Sequence, residues 1–351
     1  MSGELESVAR PARPRLAITL GDVAGVGPEI VARCWNESLL SICEPVVVGH
    51  PVVLARAAAL VNPRLQIAPV DALDEVEPSP TVIPCWNPAD DEVADVPMGR
   101  NDARAGRAAY EWLKAACWAA QAGAVDGIVT APLSKAALHL AGLNYPGHTE
   151  ILADLCGVTD FAMMLYLPRP TGRGLGVAHV TLHTAIRRVP DLLTPPRIVD
   201  TTALLGTFLA RLPGPPPRLG VCALNPHAGE GGLFGDEESR IIAPAVEQLA
   251  AAGWNVSGPW PADTLLKRAW EGEFDGVAAM YHDQGHIALK LVGFQRAVNV
   301  TLGLPIVRTS PSHGTAFDIA GQGRAAPDGL REAIQVAAWL ASNPAPTQPP
   351  A

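Results

Sequence analysis

The sequence predicts a two-lobed α/β/α protein with largely parallel sheets and a cleft between the lobes. Three observations carry this prediction. Strand-length apolar segments alternate with longer Ala- and Leu-rich segments of helical period. Several strands read as near-continuous apolar runs, the pattern of strands buried on both faces. With 351 residues, 48% of them hydrophobic and 17% charged, the chain has material for a substantial core in two domains.

The elements follow in order. Residues 15–20 (RLAITL) form a strand and 27–40 (GPEIVARCWNESLL) a helix. Strand 45–49 (PVVVG) precedes helix 51–61 (PVVLARAAALV), and strands 65–70 and 81–86 precede a long helix at 101–123. Strand 125–132 (VDGIVTAP) opens a middle block rich in Gly, His and Thr motifs, with strands at 174–182, 218–224 and 275–281. The prolines of RLPGPPPR make 211–218 a surface connection, since consecutive prolines preclude helix and ladder pairing. An apolar strand at 302–310 (LGLPIVRTS) and a helix at 328–342 that packs back on the first half complete the chain. One lobe therefore comprises 15–130 plus 305–342, and the second comprises 131–304. Residues 1–14 lack the apolar segment of a signal peptide and are expected to be a disordered leader; Pro-rich 343–351 is expected to be a disordered tail.

A net charge of −9, from 26 basic and 35 acidic residues, argues against nonspecific binding to nucleic acid or anionic membranes. No apolar run is long enough to span a bilayer. The six cysteines include no C-x-x-C and read as buried thiols of a cytoplasmic protein.

Ligands of open α/β sheets bind beyond the carboxyl ends of strands. Three strands end on a histidine there: GLGVAHVTLH at His183, RLGVCALNPH at His227 and DGVAAMYH at His282. Three neutral imidazoles suit a divalent metal and leave positions open for substrate. His286 shares a face with His282 if that loop turns helical, although Gly285 intervenes. His179 lies within its strand, where a core role is expected, and His50 and His139 look peripheral. Pro226 and the glycines of LNPHAGEGG permit close backbone approach to a ligand, and Asp236 is the expected cap of the helix over 236–253.

NYPGHTE sets His148 and Thr149 at the start of a helix, whose free amides favour an anion; Thr149 as a plain N-cap is the structural alternative. Lys290, Asn299 and Arg308 recur at intervals of nine. An arginine at the end of an apolar strand needs a partner, which a phosphate or carboxylate supplies. LAITLGDVAGVGPEI has a strand, glycines and a helix, but G-x-x-x-G-x-G is not the Rossmann spacing and no acid ends the next strand. The better dinucleotide candidate is SHGTAFDIAGQG (312–323), where Asp318 is suited to a ribose hydroxyl.

GDVAGVGPE, PGHTE, LNPHAGEGG, PADT, YHDQG and VNVTLGLPIVRTSPSHGTAFDIAG occur in this order across nearly the whole chain. Together they resemble the 4-hydroxythreonine-4-phosphate dehydrogenase (PdxA) family of vitamin B6 biosynthesis, which has an isopropylmalate dehydrogenase-like fold. The resemblance implies an NAD-dependent homodimer with one divalent metal per site (Zn, Co, Mg, Mn or Ni), completed across the subunit interface. It implies metal ligands at His183, His227 and His282, and substrate contacts at His148, Thr149, Lys290, Asn299 and Arg308. By analogy with the isopropylmalate enzymes, His313, Gly314, Thr315 and Asp318 hold the adenosine end of NAD, and Asp318 favours a free 2′-hydroxyl. The implied reaction oxidises 4-(phosphooxy)-L-threonine to a β-keto acid that loses carbon dioxide to give 3-amino-2-oxopropyl phosphate.

Val23 stands where many family members have Pro, and His286 and Ala288 lie in a loop that varies between branches. Related branches act on D-threonate or D-erythronate 4-phosphate, or on a cyclic dihydrodiol carboxylate. Lys290 is the candidate for anchoring and proton transfer, with Asp283 and Asp263 orienting ligands from behind. A metal-dependent hydrolase would use the same histidines but has no need of HGTAFDIAG.

Overall fold

Short runs of β-branched and small apolar residues, bounded by Gly, Pro and Asn, become strands, most of them buried on both faces except at the two edges of the sheet. The computed structural model describes residues 13–343 except 74, 76, 90, 91, 170 and 171, so the expected leader and tail fall outside it apart from Arg13, Pro14 and Asn343. The chain opens with β1 (Arg15–Thr19), α1 (Gly27–Cys34), α2 (Glu37–Ile42), β2 (Glu44–Val48), α3 (Pro51–Val61), β3 (Gln66–Val70) and β4 (Val82–Trp86). It continues through α4 (Ala103–Gln121), β5 (Gly127–Thr130), α5 (Lys135–Leu140), α6 (His148–Cys156), β6 (Ala162–Leu167) and β7 (Leu175–His179). Next come α7 (Val189–Leu192), α8 (Pro195–Ala210), β8 (Leu219–Cys222), α9 (Ala243–Ala251), β9 (Val256–Trp260) and α10 (Ala262–Trp270). The last elements are β10 (Gly276–Ala279), α11 (His282–Gly293), β11 (Val298–Leu302), β12 (Arg308–Pro311) and α12 (Asp328–Ser342).

All twelve strands belong to one sheet, in the order β3-β4-β2-β1-β5-β12-β11-β6-β7-β10-β8-β9. The block from β3 to β12 is parallel throughout, as is the block β7-β10-β8-β9. Between them β11 is antiparallel to both β12 and β6, and β6 is antiparallel to β7. Three reversals set the two parallel blocks running in opposite directions. The largest apolar cluster spans the first block and the central strands, and two smaller clusters cover the faces of β7, β8 and β10. Helix α12 packs on β12, β5 and α1.

Several boundaries differ from expectation. The helix expected over 27–40 is two, because the Asn36 side chain accepts from the Leu39 amide and caps α2. The strand expected over 302–310 is interrupted: Gly303 turns with φ +89° against the Asp160 carbonyl, and Arg308 begins β12 rather than ending a strand. Asp236 caps nothing and pairs instead with Arg240 at 3.3 Å. The first turn after it, Glu238–Ile242, is a π-helical turn. All six cysteines are free thiols, five of them buried. Among the described residues no helix is long and apolar enough to cross a membrane.

Candidate active site

The central antiparallel strands make the floor of a polar cavity of about 260 Å³. In the β11–β12 ladder Asn299 faces Ser310, and the twofold alternation puts Arg308 on the same face as Ser310. All three side chains line the cavity, with Met163 of β6 beside them. The site thus lies over the face of the reversed strands as much as beyond strand ends.

Arg308 is 2% exposed, yet among the described residues no carboxylate lies within ion-pair distance of it. Its Nη1 donates to Thr301 Oγ1 (3.1 Å), and its Nη2 donates to Thr130 Oγ1 (2.8 Å) and Ser310 Oγ (3.1 Å). Its Nε is buried without a partner among the described residues, as are Asn299 Oδ1 and His313 Nε2 in the same cavity wall. Burial pulls the guanidinium down to about 9, with Glu150 acting in the opposite direction, so it remains cationic at neutral pH. A buried cation with a spare donor is costly until an anion arrives.

The first turn of α6 faces this cation. Gly147 occupies the N-cap position and no side chain caps the helix, so Thr149 is not the N-cap; its hydroxyl lies 3.3 Å from Thr301 Oγ1. Burial and the charge of Arg308 hold His148 well below its ordinary value, making it a neutral imidazole. Burial pushes Glu150 up, but the nearby His183 ring, its own amide and the charges of His183 and Lys135 outweigh this and bring it below the usual value.

His183 and His282 come together, with ring centroids 5.7 Å apart. Each has a carboxylate at Nδ1: Glu150 Oε1 lies 3.8 Å from His183, and Asp283 Oδ1 lies 2.7 Å from His282. Asp283 thus holds the His282 ring at Nδ1 and leaves its Nε2 free for a metal, whereas Glu150 lies beyond hydrogen-bond distance of His183. The loop after Tyr281 does turn helical. His282 and His286 stack in α11 with centroids 3.8 Å apart. His286 Nδ1 lies 3.0 Å from His179 Nε2, and His179 Nδ1 lies 3.1 Å from the Met163 carbonyl. The carbonyl can only accept, so His179 donates to it from Nδ1 and accepts from His286.

His227 stands apart, with its ring 6.3 Å from Phe234. Among the described residues of one chain, no three His, Cys, Asp or Glu side chains are arranged to hold a metal. His227 begins an unusual turn in which five successive residues, through Gly231, have φ between 45° and 78°. Three of them are not glycine, and such strain persists only where the surroundings enforce it. Glu238 does so, accepting from the Leu224 and Asn225 amides at 2.8 Å each and packing against Gly229.

The cavity gathers His148, Thr149, Asn299, Arg308, His183, His313 and Gly314. Lys290 is not in its wall; it follows His286 by one turn of α11, with Nζ 5.8 Å from the Phe294 ring. Asp263 is exposed in the first turn of α10. Thr315 and Asp318 continue the chain beyond the cavity, where the Asp318 carbonyl accepts from Gln322. Glu150 was visible inside PGHTE but unassigned. Glu238 and the three hydroxyls around Arg308 have no sequence signal, because each acts on distant backbone or side chains.

A family model described as pyridoxal phosphate biosynthetic protein PdxA matches residues 41–337. The D-threonate 4-phosphate dehydrogenase of Salmonella typhimurium is 44% identical over 327 residues, covering 93% of this chain and 98% of that one. The 4-hydroxythreonine-4-phosphate dehydrogenase of Geobacter metallireducens is 44% identical over 330 residues, covering 94% and 96%. A crystal structure of 4-hydroxythreonine-4-phosphate dehydrogenase from Klebsiella pneumoniae superposes with a TM-score of 0.82 at 45% identity, covering 93% of this chain and 99% of that one. Fold, cavity and relatives place the chain among α/β dehydrogenases. Within that class it belongs to the PdxA family.

Proposed function

We propose that the chain oxidises 4-(phosphooxy)-L-threonine with NAD, giving a β-keto acid that decarboxylates to 3-amino-2-oxopropyl phosphate. The observation that carries this reading is the buried, carboxylate-free guanidinium of Arg308 in a cavity that also presents the uncapped end of α6. Arg308 grips an anionic oxygen pair through Nε and Nη, and the α6 amides add their dipole. Asn299 Oδ1 accepts from a substrate hydroxyl or ammonium, and neutral His148 supplies a hydrogen bond without a competing charge. Lys290, one turn beyond His286 on α11 and outside the cavity wall of its own chain, is assigned to substrate anchoring and proton transfer, and exposed Asp263 to orienting a ligand.

His183 and His282, with His227 of a second copy, fit a divalent cation. The Asp283 contact at His282 Nδ1, the Glu150 carboxylate near His183 and the exposed positions of His183 and His227 support this assignment. When bound, the cation would supply Lewis-acid polarisation and NAD the hydride-acceptor chemistry, with His313, Gly314, Thr315 and Asp318 as the residues that would hold the dinucleotide. Unpartnered apolar side chains support the homodimer: Leu291 of α11 is 82% exposed and Leu233, after His227, is 72% exposed. A second reading, oxidation of D-threonate 4-phosphate, is favoured by relatives of that name reaching 46% identity.

The test is NAD reduction by the purified protein against 4-(phosphooxy)-L-threonine, D-threonate and D-erythronate 4-phosphates and a cyclic dihydrodiol carboxylate, with and without a chelator. Turnover of 4-(phosphooxy)-L-threonine that chelation abolishes and added metal restores is expected. Turnover of the threonate alone would replace the first reading by the second, and hydrolysis without NAD would contradict both.

A further inference from the structure

Glu29 has no place in the chemistry above, yet its carboxylate is fully buried. Burying a charge is unfavourable unless hydrogen bonds compensate it. Here they come from the far end of the chain: the Gly321 amide donates to Oε1, and the Gly323 amide donates to Oε2 at 2.9 Å. One turn further along α1, Arg33 donates to the Gly323 carbonyl. The same N-terminal motif makes two more backbone contacts. The Val26 amide donates to the Thr315 carbonyl at 3.0 Å, and a side chain at Gly25 would come within 2.8 Å of that oxygen. Between these anchor points Ala316 is held at φ +44°, in the left-handed region.

We infer that Glu29 is a positioning residue for the dinucleotide: with Arg33 it clamps the turn after Asp318, so that Thr315 and Asp318 keep the backbone course that receives the cofactor. The inference rests on the reading of His313–Asp318 as the NAD segment. It also gives GDVAGVGPE a role consistent with its non-Rossmann spacing. The motif shapes the segment that binds the dinucleotide and does not itself bind it. Two charge-assisted amide bonds to one carboxylate make this an ordering device that an apolar contact cannot replace, because a hydrophobic side chain leaves both amides unpaired.

The test compares wild type, Glu29→Ala, Glu29→Gln and Arg33→Ala by calorimetric titration with NAD and by steady-state kinetics, with thermal unfolding as the check on folding. Glu29→Ala is expected to raise the KM and Kd for NAD about tenfold or more, while kcat and the KM for the phosphorylated substrate stay within about twofold. Glu29→Gln, which retains one acceptor, should recover part of the loss. Arg33 is on the surface, so Arg33→Ala should fold normally and show a smaller rise in the same constant. If Glu29→Ala does not fold, Glu29→Gln and Arg33→Ala decide the question. Unchanged NAD affinity in the folded variants overturns the inference while leaving the cofactor reading intact, and so does a parallel loss of affinity for both ligands. A wild-type protein that does not bind NAD overturns both.

Discussion

Replacing Arg308 by Met would remove a buried cation that Thr130, Thr301 and Ser310 solvate but no acid neutralises. Because an isolated buried charge opposes folding, the variant should unfold at an unchanged or higher temperature while its KM for a phosphorylated substrate rises about a hundredfold or more. Full activity in that variant would remove Arg308 from the site. Asp22 is the complementary case. Burial, reinforced by Asp102, raises it to about 6 despite the Ala24 amide on Oδ1, and Oδ2 has no partner among the described residues. Between its unfolded value near 3.8 and about 6 the unfolded chain ionises while the folded one holds its proton, so stability falls as pH rises through that window. Asp22→Asn should therefore stabilise the protein by up to about 3 kcal/mol above pH ~6 and by little below pH ~4, as denaturant titrations at both pH values will show. An equal effect at both would mean that the carboxyl does not titrate in this range.

At the scale of elements, the i,i+4 spacing puts His282 and His286 on one face of α11, and Gly285 between them lets the helix lie against β7. A side chain there would come within 2.6 Å of His179 Nε2 and of Val177 Cγ1. Gly285→Ala should cost about 1–3 kcal/mol in denaturant unfolding and reduce bound metal, since the helix must shift and take His282 with it. An unperturbed variant would show that α11 has slack. This region is legible in the sequence because a histidine ending an apolar run marks a strand-end group. In the sequence Gly285 argues against a helix; in the fold the glycine provides close packing. Helices α3 and α12 were legible to the residue from period and Pro or Asp starts. The break at Asn36 and the late start of β12 were not, because a local cap and the close approach of Gly303 to Asp160 override an apolar run.

At the scale of the whole molecule, the antiparallel strands β12-β11-β6-β7 reverse the direction of the parallel blocks and bring Arg308, Asn299, His183 and the first turn of α6 to one cavity. No pattern of hydrophobicity announces that reversal, because strands buried on both faces read alike in either direction. The same arrangement leaves His227 on its strained turn away from His183 and His282, with exposed Leu233 beside it and Leu291 on α11. Completing the proposed metal site therefore takes His227 from a second copy. The most direct test mixes His227→Ala and His282→Ala chains, unfolded and refolded together, and measures metal bound and NAD reduced per dimer. In a mixed dimer one of the two sites has all its imidazoles. Each variant alone should thus be inactive, and an equal mixture should recover about a quarter of wild-type metal and turnover. Mixed dimers that form but recover neither would contradict the account.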